Sequence, residues 1–239
     1  ASRFLLSTPE LTAIELRERI LSLAEPAPGN FVGHGLIAEP GNLIRQGDLQ
    51  SLAIHPRLVW QDDYSGGGDV FMPTLVILGD SGWEMGRVQE IAQKAAALIR
   101  ACGITVRPAG VLEVEANPSL RDFSRSNAKL LAGKVMPGGS RVFFIRDTLD
   151  RPAYDAVTFG TGNSRRNPEL RFTVWITALT RDPHIALAHE LVHVLLDDGT
   201  HSALPDNLMR ADTAPGNLLL TPEQCTGMRD SARQNGLLH

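Results

Sequence analysis

The chain has 239 residues, 43% of them apolar, and 23 Lys and Arg against 27 Asp and Glu, for a net charge of −4. That is enough to bury a real core, in one large domain or one domain with an appendage. The mild negative charge without Lys/Arg clusters argues against nucleic acid as the main partner, and no apolar run approaches the ~18 residues of a membrane span. Ala1-Ser2-Arg3-Phe4 carries no signal-peptide pattern, so the sequence reads as a mature or trimmed form.

Ser7-Thr8-Pro9-Glu10 opens a helix, with a hydroxyl cap, Pro in the first turn and Glu three residues after Ser7. Pro26, Pro28 and Gly29 end it after about Ala24. Residues 26–72 are rich in Gly and Pro and include Ser65-Gly66-Gly67-Gly68-Asp69. No Lys-Ser/Thr follows these glycines, so they are not a phosphate loop. Residues 1–72 read as an N-terminal extension wrapped on a main domain of residues 73–239, and are open to a pro-segment reading.

Periodicity then sharpens. Thr74–Leu78 is an apolar run ended by Gly79-Asp80, a buried strand. Val88, Ile91, Ala92, Ala95, Leu98, Ile99 and Cys102 recur every three or four residues, predicting a helix over about Trp83–Cys102 closed by Gly103. With Ile104-Thr105-Val106 this makes a βαβ unit, which predicts the two strands as parallel neighbours. Further strands are expected at Arg141–Arg146, Ala153–Phe159 and Phe172–Ala178, with a polar loop, Gly160–Pro168, suited to an exposed edge. Asp182 and Pro183 start a helix that is apolar nearly all round, hence buried, and Gly199 is placed to end it in a left-handed conformation. Thr221-Pro222-Glu223 starts a last helix that runs to about Gln234. Cys102 and Cys225 are too few for a metal site; they form one disulfide in an oxidising compartment or remain two buried thiols.

The buried helix carries His189-Glu190-Leu191-Val192-His193. Residues four apart share a helical face about 6 Å apart along the axis, so both imidazoles can reach one cation. Glu190 sits about 100° round the axis, free to work on a water rather than to ligate. Burying two histidines and a carboxylate is costly unless a divalent cation satisfies them. A third ligand must come from beyond the helix, because residue 197 on an unbroken helix lies about 12 Å from residue 189. His201, just past Gly199, is that ligand, with Asp197, Asp198 and Asp206 as fallback oxygen donors. Three histidines leave the fourth position open, as in a catalytic zinc site. His34, His55, His184 and His239 lack partners at ligand spacing, and Asp48 reads as part of an ordinary turn, the alternative being a residue that reaches the zinc from an inhibitory pro-segment.

The stretch from His189 to Met209, with Gly199-Thr200-His201 and Asn207-Leu208-Met209, resembles the metzincin clan of zinc endopeptidases, and within it the matrixin-like branch. It departs from the clan in having seven residues rather than five between the second and third His, with Gly sixth rather than third. The resemblance implies an α+β fold: a twisted, mostly parallel sheet with an antiparallel edge strand, a central active-site helix, a backing helix and a C-terminal helix. It also implies a zinc ion held by His189, His193 and His201, with Glu190 as the base and Met209 as a Met-turn floor beneath the metal. Residues 210–219 become the wall of the S1′ pocket. The implied reaction is hydrolysis of internal bonds of a protein or peptide lying along the edge strand Ala153–Phe159. Tyr154 or Arg210 is the candidate oxyanion donor. The expected protein is a secreted or periplasmic monomer. The alternatives are a non-catalytic binding protein on the same scaffold, against which Glu190 argues, and a zinc hydrolase of a non-peptide amide.

Overall fold

Three five-residue runs, Thr74–Leu78 (β3), Arg141–Ile145 (β6) and Thr173–Thr177 (β8), are buried at every position. That is the burial of a parallel sheet covered on both faces. The computed structural model describes residues 49–55, 68–116, 120–135, 139–148, 159–160 and 170–239. Among them β3 pairs in parallel with β6, and β6 with β8. Gly110–Ala116 (β5) lies parallel on the other side of β3, and the sheet ends in two antiparallel strands, Leu49–His55 (β1) on β5 and Phe159–Gly160 (β7) on β8. The strand order is β1-β5-β3-β6-β8-β7. The expected mostly parallel sheet with an antiparallel edge is what the chain forms.

Alternate side chains point to opposite faces, so each strand feeds two cores. On one face Leu75, Ile77, Val142, Phe144, Val174 and Ile176 pack under Met85–Arg100 (α1), Pro183–Leu196 (α3) and Pro222–Gln234 (α4). On the other, Val76, Leu78, Phe143, Ile145 and Trp175 meet Ala128, Leu131 and Ala132 of Arg125–Lys134 (α2). Phe143 and Trp175, register partners on β6 and β8, stack with ring centroids 4.0 Å apart.

Helix α1 packs on α3, and α3 on α4. Cys102, just past α1, forms a disulfide with Cys225 of α4 across a Cα–Cα distance of 4.8 Å, which resolves the two readings of the cysteines. The chain thereby ties the first and last elements of this face, 123 residues apart.

Two expectations need correction. Ile104–Val106 (β4) is not the neighbour of β3: it pairs in parallel with Asp69–Phe71 (β2) in a separate two-stranded sheet. The place beside β3 is taken by β5, which offers five consecutive partners, Gly110 to Val114. The sequence reading also missed β1, β2, β5 and α2. Strands β1 and β2, both before residue 73, pair with β5 and β4. The expected helix at residues 7–24, Asp48, His34, Tyr154 and the rest of the strand before Phe159 lie outside the described residues.

Candidate metal centre

Helix α3 starts at Pro183, a residue pre-shaped for the first turn, and its carbonyl partner is Asp182, which accepts from Ile185 and Ala186 N–H at 3.0 Å. The Asp182 carboxylate makes no capping bond. From Ile185 to Leu195 every residue is buried, so His189, Glu190 and His193 are held among apolar side chains. The helix ends two residues earlier than Gly199 would place it. Asp197 takes the left-handed conformation, φ 49° and ψ 38°, while Gly199 is not among the residues with positive φ. Aspartate tolerates that region because its short side chain costs little there. Asp197 N–H reaches Val194 O and Asp198 N–H reaches His193 O, both at 3.3 Å, the paired bonds of a Schellman ending. Arg171 holds the Asp197 carboxylate at 2.7 Å.

This turn sends the chain back across the face of α3. The Asp198 carboxylate takes the Thr200 N–H at 3.1 Å and the Thr200 hydroxyl at 2.7 Å, which shapes the loop that delivers His201. His193 Nε2 then lies 3.0 Å from His189 Nε2 and 3.3 Å from His201 Nε2. The ligand atoms of the three rings all fall within 4.8 Å of one another.

The tautomers follow from the other ring nitrogens. His189 Nδ1 donates to Leu208 O and His193 Nδ1 to Asp198 O, each at 2.7 Å. A carbonyl only accepts, so both Nδ1 atoms carry the hydrogen and both Nε2 atoms present bare lone pairs. Burial pushes the His189 imidazole down to about 4, against the opposing pull of the Leu208 carbonyl, and burial likewise lowers His193. Both rings are therefore neutral at pH 7. Two lone pairs facing each other at 3.0 Å repel unless a cation stands between them. Zinc–nitrogen bonds of about 2.05 Å at tetrahedral angles would place ligand nitrogens about 3.3 Å apart. The 3.0 and 3.3 Å spacings about His193 Nε2 match the ligand separation of such an ion.

His189 and His193 are 3% and 5% exposed, whereas His201 faces solvent, so the cluster has a buried side and an open one. The fallback aspartates do not join it. Asp197 and Asp198 are engaged as above, and Asp206 sits at φ 57° with its carbonyl accepting from Leu218 and Leu219 N–H. His184 and His239 also lie outside it, and the backbone of His55 pairs with Val111 in the sheet. Glu190 is 4% exposed, one residue on from His189. Met209 is buried in the turn that supplies the Leu208 carbonyl; its own carbonyl accepts from Ser202 N–H at 2.7 Å. Arg210 follows, half-buried, with its N–H on Asn207 O at 3.2 Å. The carbonyls of Asp198 and Leu208, which orient two rings, escape sequence reasoning because a backbone acceptor carries no residue signature.

These features define an α/β protein with a three-histidine cluster suited to a metal ion. No family model matches the chain, and neither does any curated protein. Among solved structures, the chain is similar to the crystal structure of metalloproteinase-II from Bacteroides fragilis, at 16% identity and a TM-score of 0.49 over 69% of this chain and 53% of that one. The chain thus spans about half the length of that protein. The metal centre stands on its own geometry.

Proposed function

We propose that the chain is a zinc-dependent endopeptidase of the metzincin type, matrixin-like in Leu208-Met209 though not in the Arg210 that follows, that hydrolyses internal bonds of proteins or peptides. The observation that carries this reading is the convergence of the His189, His193 and His201 Nε2 atoms, at least two of them bare. A zinc ion bound there supplies Lewis-acid polarisation of a carbonyl and a water of lowered pKa. Glu190, buried on the same helix, takes the proton of the attacking water on its carboxylate and passes it to the nitrogen of the leaving amine. A low-dielectric setting strengthens that exchange, because water does not compete for the carboxylate.

The remaining roles follow the same reading. His201, on the open side, marks where substrate enters, and Met209 forms an apolar floor under the metal. Arg210, directly after that floor, or Tyr154 donates to the oxyanion. Strand β7, paired on one side with β8, offers its ladder to an extended substrate. Residues 73–239 form the catalytic domain, with β1 from the preceding stretch completing its sheet. The Cys102–Cys225 disulfide supports a secreted or periplasmic setting.

The test is metal content together with proteolysis. Purified protein should carry one zinc per chain and digest a peptide library, stop when a chelator strips the ion, and recover when zinc is restored. Protein that binds zinc but cleaves nothing is the binding scaffold instead. Cleavage confined to non-peptide amides makes it the other hydrolase.

A further inference from the structure

Beneath His189, four polar groups from two distant parts of the chain lock together. Asn207 is 2% exposed, and its Oδ1 accepts the Met209 N–H at 2.9 Å. Its amide nitrogen donates to Gln224 Oε1 at 2.9 Å, and Gln224 Nε2 donates back to Asn207 Oδ1 at 3.1 Å. Gln224 Oε1 also accepts the Thr221 N–H at 2.8 Å, closing the capping box that begins α4. Two backbone donors, on Met209 and on Thr221, dictate which end of each amide faces where, so neither side chain can flip without leaving a backbone N–H without its acceptor. The residue between Asn207 and Met209 is Leu208, whose carbonyl takes the His189 Nδ1 hydrogen and whose N–H is held by Leu219 O at 2.7 Å.

We infer that Asn207 is a positioning residue for His189, and that Gln224 couples α4 to the metal centre through it. This inference rests on the zinc-site reading above. Asn207 fixes the 207–209 turn, the turn fixes the Leu208 carbonyl, and that carbonyl fixes the ring plane and tautomer of His189. Gln224 therefore has two jobs. A capping glutamine needs only its own helix, yet here the same amide is spent across the chain on a residue 17 positions earlier. Groups that orient a metal-ligating imidazole typically change metal affinity about 10–100-fold when lost.

Two variants separate positioning from plain stability. Asn207→Ala removes the anchor. Gln224→Glu keeps the shape and the Thr221 cap, since a carboxylate suits a helix N-terminus, but sets an oxygen against Asn207 Oδ1. Zinc affinity is read by chelator competition, ligand geometry by the visible spectrum of the cobalt-substituted protein, and folding by circular dichroism. Ser124→Ala, which removes the α2 cap bond to Asn127 N–H far from the centre, is the control for lost stability. We expect affinity to fall about 10-fold or more in Asn207→Ala and at least about threefold in Gln224→Glu. Both should shift the cobalt spectrum, while Ser124→Ala lowers the melting temperature alone. If Asn207→Ala does not fold, Gln224→Glu decides. Affinities within threefold of the parent in every folded variant of the pair, with an unchanged cobalt spectrum, overturn the inference and leave the zinc site standing. A parent that binds no zinc overturns the site itself.

Discussion

Two buried polar places lie on opposite faces of the same sheet, and they are built on different terms. On the α2 face Arg141 is 4% exposed, and its guanidinium donates to the carbonyls of Ala132 and Val135 at the end of that helix. The negative end of a helix complements the charge, and the orphan carbonyls gain a donor. Burial lowers the guanidinium to about 10, so it stays charged at neutral pH. On the α3 face, three imidazoles turn ring nitrogens toward one another, with the hydrogens of His189 and His193 committed to backbone carbonyls behind them. The first place finds acceptors for Nη1 inside the chain, although the buried Nε has no partner among the described residues. The second turns its acceptors on one another, an arrangement that could hold a metal ion.

The contrast can be broken in several ways, and the largest effect belongs to Glu190→Ala. It should cut kcat about 10³-fold, as loss of a general base does, while zinc content equals that of the parent. Parent-like turnover would take Glu190 out of the mechanism. His201→Ala comes next. Its zinc affinity should fall more than about 100-fold, beyond what an outer-shell loss costs, with an unchanged circular dichroism spectrum because the residue is exposed. Metal binding as in the parent would mean that His201 is not a ligand.

Acid sharpens the difference in the metal-free protein. His189 sits at about 4 folded against 6.5 in the open chain, so the unfolded state binds the proton first. Stability is whole above about pH 6.5 and drops by roughly 3 kcal/mol as the pH falls to about 4. Urea midpoints across that window should slope for the parent and less for His189→Gln. A parent midpoint that stays flat would remove the lowered imidazole. Arg141 stays charged throughout and adds no slope. The smallest effect is expected for Arg141→Met, which keeps the stem but takes the side-chain donor from the C-terminal end of α2. It should lose about 2 kcal/mol in urea unfolding and leave zinc affinity untouched. A change in affinity would show that the two faces are coupled.

Legibility in the sequence followed pattern length. The runs at β3, β6 and β8 announce themselves because a strand covered on both faces is apolar through its middle, with Thr74, Arg141, Thr173 and Thr177 confined to the ends. Helix α3 is as plain, for the same reason in helical form. Strand β5 hides because Glu113 and Glu115 break its apolar run directly after Pro108 and Gly110, and α2 because Ser126, Asn127 and Gly133 weaken its periodicity. Adjacency along the chain predicts β4 beside β3, but adjacency in space is set by packing, which puts β5 there and β4 on β2.

The one-turn spacing of His189 and His193, with Glu190 beside them, is local helical geometry, so residue order alone settles that those two rings share a face. The approach of His201 is different in kind. It depends on where α3 stops, and a left-handed Asp197 held by Arg171, rather than a glycine, makes that choice. The tautomers of His189 and His193 depend on two backbone carbonyls brought from elsewhere, one by that same loop and one by the turn below. Periodicity carries information over a few residues; a cation site needs atoms placed to within tenths of an ångström, and only packing between separate segments supplies that.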